Sequence, residues 1–229
     1  MRLAGVDGCK GGWVAVVAEA DNLAAAKLAF SPSFGGLLTD IGAALAVVDM
    51  PIGFVSGPDG RDVETAMRGF LKGKASLVFN TPCREALNEL TYWDASAINQ
   101  FRLGKSLTKQ TFALFPKMKE VDAIVRLVGQ DKVREGHPEA SFAAMNGAPV
   151  LSKKREPSGV SERIAILERE RIRASLLLAS RLRLPCADDD ILDAAALLWS
   201  ATRYSTGSHI MLPPTPLRDS LGIEMSIVA

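Results

Sequence analysis

Four acidic positions far apart in the chain have the residue types of a divalent-metal site: Asp7, Asp49, Glu139 and Asp193. Hard cations take oxygen ligands, and Mg²⁺ or Mn²⁺ uses a few carboxylates while keeping bound water. Two such ions about 3.5–4 Å apart activate a water and stabilise the leaving oxygen in phosphodiester hydrolysis. The catalytic set expected here adds His137 and Asp190. His137 could position water or phosphate, or move a proton. Asp190 lies three residues before Asp193 and shares its face on a helix.

Each acid sits in a segment that could deliver it. Asp7 follows the apolar run Leu3 to Val6 and precedes the glycine-rich turn Gly8 to Gly12, which could also admit a phosphate. Asp49 closes the apolar run Ala44 to Val48 just before Pro51. Aspartates at strand ends also cap turns. As parallel neighbours, however, these two strands would bring both carboxylates to one sheet edge. In His137-Pro138-Glu139, proline biases His137 toward extended backbone, so the triplet is expected in a strand or rim loop. Asp188, Asp189 and Asp190 suit the first turn of a helix. Asp193 is different, because Ala194, Ala195 and Ala196 continue a helix that should be buried and close to the sheet. A carboxylate there is costly unless paired or metal-bound.

The elements expected to carry these residues form a mixed α/β pattern. Strands are predicted over 2–7, 13–19 and, less distinctly, 24–30, followed by a helix over 35–44 and the strand ending at Asp49. Residues 53–132 change character, with Gly53, Gly57, Pro58 and Gly60, a basic helix-like piece from Arg61 to Lys74, and helical material from Tyr92 to Val125. They are expected to be a helical insertion within one domain of 1–229. Residues 133–142 should return to the sheet, 151–159 form a charged loop, and helices span 160–182 and 188–204. The tail with Pro213, Pro214 and Pro216 reads as loop, with an edge strand over 223–228.

Composition limits the partners. With 229 residues, 48% apolar content and net charge +1, the chain has a sizeable core and no global attraction to nucleic acid or anionic membrane. Any nucleic-acid site must be a local basic patch. Cys9, Cys83 and Cys186 are widely spaced and form no CxxC pair, which suits a reducing cytoplasm. No window reaches the apolar length of a membrane span.

Gly5-Val6-Asp7-Gly8-Cys9-Lys10-Gly11-Gly12-Trp13-Val14, Asp49-Met50-Pro51-Ile52-Gly53, His137-Pro138-Glu139 and Asp189-Asp190-Ile191-Leu192-Asp193-Ala194 resemble the family called predicted RNase H-like nucleases, domain-of-unknown-function family 429. Val78-Phe79 with Pro82 and Arg84, Lys117 with Glu120-Val121-Asp122, and Lys153 with Gly159 and Arg163 extend the match over nearly the whole chain. The resemblance implies a ribonuclease H-like mixed sheet flanked by helices, with acids from the first strand, the fourth strand and the last helix meeting. It also implies a nuclease activity using Mg²⁺ or Mn²⁺, with Lys10, Arg68, Arg84, Lys117 and Lys153 as substrate-binding candidates. Where the family often has arginine, Lys10 keeps the charge but loses the bidentate fork. The expected partner is nucleic acid or a phosphorylated small molecule. Two other readings compete: a phosphotransferase of the actin-like kinase type, with the Gly8 to Gly12 turn and Lys10 cradling phosphates, and a binding protein without turnover.

Overall fold

The computed structural model describes residues 1–57, 61–181 and 184–229, so Pro58 and Gly60 lie outside the described residues. Its centre is a seven-stranded mixed sheet. Strands β1 (Arg2–Cys9), β2 (Gly12–Glu19) and β3 (Asn22–Ser31) form an antiparallel meander, with Lys10 and Gly11 making the first turn. Gly11 has φ +82°, which a side chain would resist. Helix α1 (Phe34–Ile41) leads to β4 (Leu45–Val48), which pairs parallel to β1 with Val6 opposite Val48. Next come α2 (Asp62–Phe70), α3 (Tyr92–Leu103), α4 (Lys109–Ala113) and α5 (Phe115–Val128), before β5 (Val133–Gly136) pairs parallel to β4. The chain ends through α6 (Pro138–Asn146), α7 (Pro157–Arg169), α8 (Ala174–Ser180), α9 (Asp188–Ser205), β6 (Met211–Arg218) and β7 (Glu224–Val228). Across the sheet the order is β3-β2-β1-β4-β5-β7-β6.

Two apolar layers enclose this sheet. On one face α9 lies along β1 within a core that includes Leu3, Val14, Val47 and Leu197. On the other, α1 and α5 cover Ala4, Val6, Trp13 and Val48. Gly5 decides how near α9 can come, because a methyl group there would collide with the Ala194 carbonyl and the Leu198 amide. Gly136 similarly admits Leu197.

Several expectations are corrected. The return to the sheet ends at Gly136, because Pro138 opens α6; His137 is extended, as expected, but as its N-cap residue. Proline is well suited to a first helical position, where its missing N–H has no partner to lose. Glu139 therefore stands on a helix, not in a strand or rim loop. The helix expected over 160–182 divides into α7 and α8 around Arg171, whose φ is +64°. The five-residue step from buried Leu167 to buried Ile172 breaks the helical spacing; residue 182 lies outside the described residues. The proline-rich tail is not loop but the edge strand β6, a position that tolerates missing amide donors, and β7 is an inner strand. Helical material over 92–125 is broken at Gly104, which has φ +67°.

An acidic cleft at the ends of the parallel strands

The register explains how distant acids come together. Val6 and Val48 are paired, and the Asp49 amide donates to the Val6 carbonyl at 3.0 Å, so Asp7 and Asp49 follow side by side. Val48 is paired with Glu135, which carries His137 to the same edge two residues later. Ligands of open α/β sheets gather outside the carboxyl ends of such strands. The first turns of α9, seated on Gly5, add Asp190 and Asp193. A cleft of about 230 Å³ opens here, with Asp7, Asp49, His137, Lys117, Lys154 and Asp190 on its wall.

Electrostatics place Asp7, Asp49 and Asp193 in one cluster. Burial, then Asp49, Asp193 and Asp190, holds the Asp7 carboxyl well above the usual range, against an opposing pull from Lys154. Burial pushes Asp193 up to about 6, although the Lys154 ammonium beside it lowers it. Asp49 likewise rises to about 6, through burial and then Glu139, with Lys154 opposing. Asp7 Oδ1 accepts the Gly8 amide at 2.7 Å. Asp193 is 2% exposed; its Oδ2 accepts from Lys154 Nζ at 2.6 Å, while its Oδ1 is buried without a partner. His137 Nδ1 is a second unpartnered buried atom, and burial lowers the histidine so that it stays neutral.

The other predicted residues have varied fates. Glu139 is clamped between Arg163 at 2.5 Å and Lys74 at 3.0 Å, so both its oxygens already face cations. The residue expected as a metal ligand is thus already engaged by two protein cations. Asp190 Oδ2 accepts the Ala187 amide, closing the start of α9. Lys117 lines the cleft, donates to the Gly12 carbonyl and lies 4.2 Å from the Trp13 ring centre. Arg68 is turned to Val78 O and Asn80 Oδ1, at 2.9 and 2.7 Å. Arg84 bridges Asp122 and Asp219 and is a structural clamp, not a cleft residue. Lys10 is exposed at the hairpin turn, beside a shallow groove shared with Arg155 and Arg181. Lys153 points away and pairs with Glu156 at 2.9 Å. Among the described residues, no three His, Cys, Asp or Glu side chains are gathered tightly enough to hold a metal as they stand.

The sequence reading groups Lys154 with Lys153 and Arg155 as residues that could hold phosphate, but prefers Lys153. In Ser152-Lys153-Lys154-Arg155 both lysines have the same chemistry, and only the path of the loop decides which one enters the cleft. The pairing of Arg155 with Asp189 at 2.9 Å likewise depends on the path of the loop. Glu135 was missed because it looks like an ordinary strand residue; burial raises it to about 7, opposed by Arg61 at 2.7 Å. The motif acids Glu120 and Asp122 serve packing: Glu120 accepts from the Trp13 indole and the Phe34 amide, and Asp122 pairs with Arg84.

Fold and site thus define a mixed α/β protein with an under-neutralised acidic cleft at the carboxyl edge of its parallel strands. Residues 5–218 match the model of the family described as "Protein of unknown function (DUF429)", and the chain belongs to that family. No curated protein matches it. No helix among the described residues is long and apolar enough to cross a membrane.

Proposed function

We propose that this protein is a metal-dependent phosphodiesterase, a nuclease with a ribonuclease H-like core, acting on nucleic acid or a phosphorylated small molecule. One observation carries the reading. Asp7 and Asp49 line one cleft from two adjacent parallel strands, and Asp193, buried on the helix packed on them and electrostatically felt by Asp7, has an oxygen left unpartnered. The order β3-β2-β1-β4-β5, with β4 and β5 parallel to β1, supports the ribonuclease H-like assignment. On that assignment the helices between β4 and β5 are an insertion, and β7 and β6 extend the sheet.

In type the donors suit Mg²⁺ or Mn²⁺, being hard carboxylate oxygens that repel one another, but they would have to draw closer than they stand to share an ion. Asp7, Asp49 and Asp193 would hold it, and it would supply a water of lowered pKa and charge at the leaving oxygen. Glu139 is left to Arg163 and Lys74. Neutral His137 sits where its free Nδ1 could accept a proton or orient a phosphate oxygen. Lys117, on one wall, and Lys10 with Arg155, on the adjoining groove, would hold phosphates along the entrance. Phe79 is the aromatic side chain at the cleft rim, too little for a base-stacking platform.

Incubating the protein and Mn²⁺ with branched, hybrid and single-stranded substrates tests this. Cleavage should fall at least about 10³-fold in Asp7→Asn and Asp193→Asn, the loss expected when several kcal/mol of charge stabilisation disappears. Cleavage by both variants at the wild-type rate would defeat the proposal.

A further inference from the structure

We propose that the cleft seats one nucleotide unit, its phosphate toward Lys117 and Lys154 and its base in an apolar end where Glu64 selects bases that carry an amino group. The inference rests on the phosphodiesterase reading above and deepens it by naming the unit of substrate.

The sheet sets the two ends. Its order runs β1-β4-β5-β7, so the cleft wall passes from Asp7 through Asp49 and His137 to Ile227. Lys117, packed against Gly8, and Lys154 belong to the Asp7 end. At the other end Val63 and Met67, four residues apart on one face of α2, meet Val78 and Ile227 in an apolar cluster separate from the two main layers. Phe79 stands at the rim; too little for a platform under several bases, it suits the face of one. A charged end joined to an apolar one is the make-up of a nucleotide, and an opening of about 230 Å³ suits a single unit rather than a strand.

The polar groups at the apolar end are unequal. Glu135 is fully engaged: Arg61 reaches its two oxygens at 2.9 and 2.7 Å, and the Ile52 amide adds a third donor. Glu64, 9% exposed on the same wall, uses one oxygen. Its Oε1 accepts from the Thr81 hydroxyl at 2.5 Å and lies 3.5 Å from Arg61 Nε, while no hydrogen bond from the described residues reaches Oε2. Because the Thr81 hydroxyl donates to Glu64, its own oxygen is left to accept. This end therefore offers acceptors. They pair with the amino group of cytosine, adenine or guanine and repel the carbonyl that uracil or thymine presents instead.

The wall is also held in shape. Arg68 binds the Val78 carbonyl at 2.9 Å and Asn80 Oδ1 at 2.7 Å, and the Thr81–Glu64 bond ties the next residue to α2. A pocket fixed from both sides is preorganised for a rigid ring.

Ligand-observed NMR of the purified chain in Mg²⁺ buffer, with cytidine 5′-monophosphate, uridine 5′-monophosphate and ribose 5-phosphate, tests this. The cytidine compound should bind at least about tenfold tighter than either of the others. Glu64→Gln keeps the Thr81 bond through its amide oxygen and turns an N–H₂ to the cleft. It should erase or reverse the preference and leave ribose 5-phosphate binding unchanged. Equal binding of the three compounds by wild type, binding of none, or an unaltered preference in Glu64→Gln would overturn the inference. The nuclease reading stands or falls separately, on Mn²⁺-dependent cleavage and its loss in Asp7→Asn. The wild-type comparison decides the matter even if the variant fails to fold.

Discussion

Asp219 and Asp193 are both buried aspartates, yet their surroundings have opposite character. Asp219 joins the turn between β6 and β7 to the rest of the molecule. It accepts from the amides of Phe54, Leu221 and Ile223 and from Arg84 at 2.5 Å, and Arg84 in turn holds Asp122. Burial alone would raise Asp219, but these donors hold it below the usual carboxylate range. Asp193 has one lysine, a vacant oxygen and two carboxylates nearby, and it rises to about 6. A fully satisfied buried acid stabilises its own fold. An acid left short of partners is costly alone and useful to something that binds.

The largest effect should come from removing the satisfied acid. Asp219→Ala strands Arg84 and three amides, and should destabilise the protein by about 3–5 kcal/mol. Thermal unfolding should show a fall of at least about 6 °C at this chain length. A shift under about 2 °C would mean that the contrast between the two aspartates is false.

Acid and base should also separate them. For Asp193 the folded pKa is raised, so its unfavourable contribution is absent below the unfolded value near 4 and complete above about 6. In metal-free buffer, stability should therefore decline between pH 4 and 6, with Asp193 responsible for something on the order of 3 kcal/mol. Asp193→Asn should flatten that decline, and Mn²⁺ should restore stability above pH 6 in wild type alone. Asp219 has the reverse sign: its stabilisation is present above the unfolded value near 4 and disappears on acidification. Asp219→Asn should thus make the protein less sensitive to acid. Unfolding midpoints measured in chelator from pH 3 to 8 would reveal both slopes.

Glu139 tests where the boundary between these two kinds of acid runs. It belongs with Asp219 in its partners, despite standing beside the cleft. Glu139→Gln should lower stability by about 2–3 kcal/mol while changing Mn²⁺ affinity less than about threefold. A tenfold loss of affinity would move Glu139 into the metal set. The smallest effect belongs to Lys153, exposed and paired only with Glu156; Lys153→Ala should alter stability by less than about 0.5 kcal/mol and leave Mn²⁺ binding unchanged.

Local patterns were legible wherever one element was enough to define them. The Lys10-Gly11 hairpin, the strand ending before Asp49 and the helix opened by three aspartates could all be read from apolar spacing and turn chemistry. So could the placement of Asp193 on a buried helix face, because alanines follow it in series. The parallel pairing that sets Asp7 beside Asp49 was anticipated only as a condition. The register between Val6 and Val48 satisfies it. Proline misled twice, at Pro138 and in the tail, since it fits a first helical turn or an edge strand as well as a loop.

The chain's own residues determined an α/β protein with aspartates at strand and helix ends, because periodicity and turn residues act within a few positions of one another. Tertiary structure alone decided which cation meets which acid. Lys154, not Lys153, reaches Asp193; Arg84 reaches Asp219; Arg163 and Lys74 take Glu139. Coulomb attraction depends on distance through space and on the water removed around the charges. Those quantities do not exist until α9 has settled on Gly5 and the loop before α7 has brought Lys154 to the cleft wall.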